Sequence, residues 1–171
     1  MITKINTDIS IQTNKRIISY LFAINNWSFS SDNIQDTAIN KKDSGFILNT
    51  FVASDNYSNN DILNTYAQVI FDMVEKNTFM KFKKLERVRW NWYHPGSITE
   101  FHVDENKDNK FSIIYNLHDN DGGTNFKINK KITFHQSKES VALLFPSKVL
   151  HRGVAPKENF NRFCLNMIVE I

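Results

Sequence analysis

The sequence has a single cysteine, Cys164, which excludes an intrachain disulfide and any zinc site built on cysteines. Three prolines and five glycines are too few for a collagen-like, linker-like or disordered chain. No apolar run approaches the roughly 18–20 residues that a membrane-spanning helix needs. The opening MITKINTDISIQTNK mixes polar with apolar residues, so it does not read as a secretory leader. Arginine is scarce too, supplying 5 of the 21 basic residues, while Asn, Lys and Ile are plentiful. We read that tilt as AT-rich bacterial or phage coding, with a cytoplasmic location expected. A net charge of +3 is mildly basic and points to no class of partner. What is present is a chain 41% hydrophobic and 13% aromatic. That is enough to fill one sizeable core, and a length of 171 residues fits one domain over 1–171.

The hydrophobic period changes partway along. In Asn14–Asn25, residues Ile17, Ile18, Leu21, Phe22 and Ile24 share one helical face. A second helix is expected after Asn60, with Leu63, Tyr66, Ala67, Ile70, Met73 and Val74 at helical steps and Lys76 in the last turn. Between them, 26–58 is mostly polar, with a possible strand at Phe46–Phe51. From Leu85 the period is two, with strands expected at 85–93, 98–104, 111–118, 124–128, 131–135, 140–145, 149–154 and 161–170. Helical support over about 1–80 and a β core over about 85–171 predict an antiparallel sandwich or barrel braced by helices on one side.

Two strands carry an informative alternation. Arg87, Arg89, Asn91 and Tyr93 oppose Val88, Trp90 and Trp92; Arg162, Cys164 and Asn166 oppose Phe163, Leu165, Met167 and Val169. The polar faces either meet water or line a shared pocket, and alternation alone leaves both open.

The strongest local signal is FHVDE. His102 and Asp104 are two apart, so in a strand both side chains point the same way, about 6–7 Å apart at Cα. A bare His-x-Asp is common. His151, in LHRG at the start of another expected strand, completes a two-histidine, one-carboxylate set with open positions, the ligand set of non-haem Fe(II) oxygenases. Eleven residues on, Arg162 has the polar parity of the last strand. Buried, it needs an anion such as a dicarboxylate cosubstrate; exposed, it is a surface ion pair.

In combination, YHPGSITEFHVDE, IIYNL, GGTNF, LLFPSKVLHRG and NRFCLN resemble the Fe(II)- and 2-oxoglutarate-dependent oxygenases, above all the prolyl-hydroxylase-like branch. The matching residues are Tyr93, Gly96, His102, Asp104, Tyr115, Gly122, Gly123, His151 and Arg162, within 88–171. The resemblance implies a double-stranded β-helix (jelly roll), mainly β, closed by N-terminal helices on one sheet. It implies Fe(II) on His102, Asp104 and His151, and 2-oxoglutarate anchored by Arg162 with Tyr93 or Tyr115, Asn166 lying on the same face. It also implies O2 as co-reactant, with ascorbate in support, and hydroxylation of an aliphatic C–H in a peptidyl proline or another peptide or amino acid. Two departures stand out. GGTNF is one residue shorter before Phe126 than the usual turn. Ile168 stands where the nucleic-acid demethylase branch carries an arginine, which argues against base repair.

The other readings are a non-catalytic jelly-roll binding module and an oxygenase acting on nucleic acid. For the latter, KFKKLERVR (81–89) is a basic cluster, more often a solvated edge than a phosphate track. His94, His118 and His135 read as strand-end or solvated side chains, Cys164 as a buried thiol, and Trp90 and Trp92 as packing against the helices. The loops 105–110 and 119–121 are expected to shape the substrate groove.

Overall fold

Along the chain, β1 (Thr3–Asn6) precedes α1 (Ile11–Ala23), the short β2 (Ser28–Phe29), β3 (Phe46–Val52), the short β4 (Tyr57–Ser58) and α2 (Asp61–Lys76). Seven strands follow: β5 (Lys84–Tyr93), β6 (Lys110–Asn116), β7 (Gly123–Ile128), β8 (Lys131–Gln136), β9 (Val141–Pro146), β10 (Leu150–Val154) and β11 (Arg162–Glu170). The computed structural model describes residues 1–29, 45–55, 57–97, 99–158 and 161–171.

Both helices begin at side-chain caps, which satisfy backbone N–H groups that have no partner within the helix. Ser10 Oγ accepts from Thr13 N at 3.1 Å, starting α1 three residues ahead of the apolar stripe at Asn14. Asn60 Oδ1 accepts from Leu63 N at 3.1 Å, where the apolar pattern predicted the second start.

The strands form two antiparallel sheets. The major sheet runs β1-β9-β6-β11-β5-β3-β2, with β4 paired to β3; the minor sheet runs β10-β7-β8. The outer face of the major sheet is dry. Val88, Trp90, Phe163, Leu165, Met167 and Val169 pack there against Ile17 and Leu21 of α1 and Leu63, Ala67, Ile70 and Val74 of α2. Between the sheets lies a smaller cluster of Ile114, Phe126, Leu143, Phe145 and Cys164. This is the antiparallel, helix-braced β architecture that the hydrophobic pattern predicts, and the mainly-β jelly roll that the resemblance implies. The alternation is resolved in favour of the pocket: Arg162, Cys164 and Asn166 face inward with Arg87, Arg89, Asn91 and Tyr93.

Two expectations are corrected. Residues 99–104 form no strand; their only ladder contact is a bridge between His102 and His151. (Ile98 and residues 30–44 lie outside the described residues.) The N-terminal half also contributes β1, which pairs with Val141–Leu144 of β9. Four residues with one buried side chain, Ile5, are too short a run for periodicity to reveal. No described helix is long and apolar enough to cross a membrane.

Candidate active site

His102 and Asp104 come from the loop after β5, His151 from β10. Reciprocal backbone bonds tie them: His102 N donates to His151 O at 2.8 Å and His151 N to His102 O at 2.9 Å. Asp104 N donates to Ser147 O at 3.0 Å. The atoms through which the three side chains could hold a metal ion lie within 4.8 Å of one another. Each imidazole Nδ1 faces a backbone carbonyl, Glu100 O at 3.1 Å for His102 and Val149 O at 2.9 Å for His151. A carbonyl only accepts, so Nδ1 carries the proton and Nε2 keeps its lone pair. Both Nε2 atoms point at Asp104, His151 at 3.4 Å and His102 at 4.0 Å. Phe126 stacks on the His151 ring at 6.0 Å and Phe145 meets it edge-on at 4.8 Å, so this imidazole is held among aromatic rings at 2% exposure.

Asp104 has a dense set of donors. Arg87 Nη2 donates to Oδ1 at 2.8 Å, Ser112 Oγ to Oδ2 at 2.7 Å, and Asn166 Nδ2 to Oδ2 at 3.2 Å. Burial alone would raise this carboxyl; its interactions with His151 and with the Arg87 guanidinium outweigh that and hold the group well below the usual carboxylate range. The contribution to stability is therefore present above the unfolded carboxyl range and lost as pH falls through the lower folded value. Asn166 thus serves Asp104 rather than the arginine end, where the sequence reading grouped it. Its amide also accepts from Arg87 at 3.2 Å, so Arg87, Asn166 and Asp104 form one closed unit.

At the other end sits Arg162, 1% exposed. Only Nη2 has partners, Asn116 Oδ1 and Thr124 Oγ1, both at a long 3.4 Å. Its Nε and Nη1 are buried with no hydrogen-bond partner among the described residues, and it has no ion pair there. Its guanidinium lies 5.1 Å from the centre of the Tyr93 ring, a cation–π contact. Gly153 makes room for that ring: a Cβ there would stand 2.7 Å from the Tyr93 hydroxyl. The shortened GGTNF turn leaves Thr124 against Arg162 and Phe126 against His151, so the loop change does not reach the inner face.

Tyr115 is a correction. It shares parity with Ile113 and packs on the helical face, its hydroxyl donating to Asn14 Oδ1 at 2.7 Å. Asn116, one residue on, is the β6 side chain that meets Arg162.

The pocket, of about 630 Å³, runs past these groups to β3. Arg89 lines it and donates from Nε to Asn49 Oδ1 at 2.8 Å. Burial, then the neighbouring Arg87 charge, pulls the Arg89 guanidinium down to about 10. The 81–89 basic cluster is therefore split: Lys81, Lys83 and Lys84 are exposed, while both arginines turn inward. His118 and His135 are half-buried rather than solvated. His118 Nε2 accepts from Phe163 N at 3.3 Å and His135 meets the Phe126 ring at 5.2 Å. Cys164 is buried as expected, but on the pocket wall, where burial raises its thiol. Arg87, Ser112, Asn116 and Thr124 had been assigned no role; for Arg87 the alternation of β5 was the available signal.

No protein-family model matches the sequence, and no curated protein matches it. Solved structures do. A prolyl-4-hydroxylase from Pseudomonas putida superposes with a TM-score of 0.69 at 10% identity, covering 99% of this chain and 92% of that one. A prolyl hydroxylase from Trichoplax adhaerens, in complex with a hypoxia inducible factor oxygen degradation domain peptide fragment, gives 0.69 at 11%, covering 99% and 83%. The epimerase SnoN of nogalamycin biosynthesis, in complex with Fe3+, α-ketoglutarate and nogalamycin RO, gives 0.70 at 8%, covering 99% and 78%. The chain therefore shares, over almost its whole length, the fold of prolyl hydroxylases and of an α-ketoglutarate-dependent non-haem enzyme.

Proposed function

We propose that the chain is an Fe(II)- and 2-oxoglutarate-dependent dioxygenase that hydroxylates an aliphatic C–H of a peptide or amino-acid substrate, with peptidyl proline the first candidate. The observation that carries this reading is one cavity holding both a His–Asp–His set and a buried arginine without an acidic partner among the described residues. The residues fit both groups. Two Nε2 lone pairs and one carboxylate oxygen are the donor set for Fe(II) with positions left open. An unpaired buried guanidinium is costly and requires an anion, which the far carboxylate of 2-oxoglutarate supplies.

When bound, the iron and cosubstrate supply the oxidising chemistry: O2 is divided between succinate, formed with release of CO2, and the hydroxylated substrate. The chain supplies position and charge. Arg87, Ser112 and Asn166 keep Asp104 ionised and fix its rotamer. The Glu100 and Val149 carbonyls fix the two imidazoles, and Phe126 and Phe145 keep water from His151. Arg162, covered by Tyr93, orients the cosubstrate.

Protein supplied with Fe(II), ascorbate and 2-oxoglutarate is expected to release succinate. Release should be slow alone, faster with a prime substrate, and inhibited by N-oxalylglycine. Mass detection of a product one oxygen atom heavier, across prolyl peptides and amino acids, identifies the substrate. Absence of turnover over the whole panel would favour the binding-module reading instead.

A further inference from the structure

Arg89 is the second inward arginine without an acidic partner. It forms no ion pair with any described residue; Arg87, its neighbour on the same face, is engaged by Asp104. The acids at the pocket rim, Asp55 and Glu105, make no ion pair with it either. Its one hydrogen bond, from Nε to Asn49, fixes the plane of the guanidinium and leaves both Nη groups uncommitted among the described residues. The Nη pair forms an end-on fork, whose parallel N–H bonds match the two oxygens of a carboxylate.

Its position separates it from Arg162. In the ladder between β5 and β11, Arg162 pairs with Tyr93 and Asn166 with Arg89. Four residues along a strand is about 13 Å, so the two guanidiniums serve opposite ends of the cavity. Arg89 stands beside Asn166, which holds Asp104, and is therefore at the metal-ligand end, on the side of β3. An anion held there is not the one held by Arg162.

We propose that Arg89, fixed by Asn49, recognises a carboxylate of the prime substrate and presents the adjoining carbons to the metal-ligand set. This rests on the oxygenase reading above. A carboxylate suits the site better than a phosphate: one fork is available, no helix N-terminus among the described residues adds donors, and Asp55 and Glu105 at the rim oppose a dianion. The substrate class narrows to amino acids with a free carboxylate and peptides with an acidic side chain or terminus near the oxidised carbon. Peptides neutral at that point are excluded.

The test uses wild type and Arg89→Gln, both loaded with Mn(II) and 2-oxoglutarate so that Arg162 is already engaged. Ligand-observed NMR screens paired amino-acid and dipeptide derivatives, each as free carboxylate and as carboxamide, with broadening by Mn(II) reporting proximity to the metal. At least one carboxylate should bind ten times or more tighter than its amide in wild type and show broadened protons. Arg89→Gln should bind the two members alike, and Arg89→Lys should recover part of the preference. Equal binding of both members to wild type, no binding by any carboxylate, or a preference that survives in Arg89→Gln overturns the proposal. Failure of 2-oxoglutarate to bind Mn(II)-loaded protein counts instead against the oxygenase reading. The same pairs, compared on metal-free wild type and Arg89→Gln, then decide the Arg89 site by itself.

Discussion

At the scale of single residues, the pocket is defined by which charges have partners. Arg87 and Asp104 form a largely buried pair at 2.8 Å; Arg162 is 1% exposed and has only two long hydrogen bonds among the described residues. Truncating one member of a buried, hydrogen-bonded charge pair costs roughly 2–5 kcal/mol, and 1.4 kcal/mol is tenfold in affinity. Arg162→Ala should therefore weaken 2-oxoglutarate binding by about 30-fold to a few thousandfold, measured by calorimetry on Mn(II)-loaded protein. Mn(II) affinity itself should hold, because His102, Asp104 and His151 are untouched. Arg162→Lys should restore part of the loss, since it keeps the charge but not the planar donor geometry. Normal cosubstrate binding by the alanine variant would place the cosubstrate elsewhere.

At the scale of elements, one sheet does two jobs, and the division is by parity. On β11, Phe163, Leu165, Met167 and Val169 pack under the helices while Arg162, Cys164 and Asn166 face the cavity. Stability and chemistry should therefore separate by face. Ile70, 1% exposed on α2, lies in the dry layer. Ile70→Ala should lower the unfolding free energy by about 2–5 kcal/mol, read from urea denaturation, while Mn(II) and 2-oxoglutarate affinities of the folded variant stay at wild-type values. Loss of cosubstrate affinity in proportion to stability would show that the two faces are not independent. The same parity decides what was legible in the sequence. Period two located the long strands, helical period and Asn60 located α2, and His102, Asp104 and His151 were visible as residue types at spacing. Parity failed on β6, a central strand buried on both faces, where hydrophobicity carries no inside–outside signal. Asn166 could still have been separated from the arginine end by its spacing of four residues from Arg162. The partners of Asp104 were out of reach, because Arg87, Ser112 and Asn166 meet it only through the sheet order β6-β11-β5.

At the scale of the whole molecule, a seven-strand run faces a three-strand sheet, so the minor sheet covers only part of the inner face. The cavity of about 630 Å³ lies on this inner face, walled by β3, β5 and β11 of the major sheet and by Thr124, His151 and Gly153 of the minor one, and is within the usual size of small-molecule sites. Three inward arginines line it, Arg87, Arg89 and Arg162, and among the described residues only Arg87 forms an ion pair with an acid. Ligands that supply the missing charge partners should stabilise the entire fold, since they bind the native chain and not the unfolded one. At a free concentration of 100 times Kd a ligand adds about 2.7 kcal/mol, and for a chain of this length 1 kcal/mol moves Tm by about 2–4 °C. Mn(II) at that level should therefore raise Tm by about 5–11 °C, with a further rise of similar size on adding 2-oxoglutarate. A chelator should reverse the metal increment. The variants then divide the effect between the two ends of the cavity. His102→Ala should lose the Mn(II) increment, whereas Arg162→Ala should keep it and lose the 2-oxoglutarate increment. Comparing shifts rather than absolute Tm values removes whatever each substitution does to the unliganded fold. A Mn(II) shift that persists in His102→Ala would mean that the metal stabilises the chain from some other site.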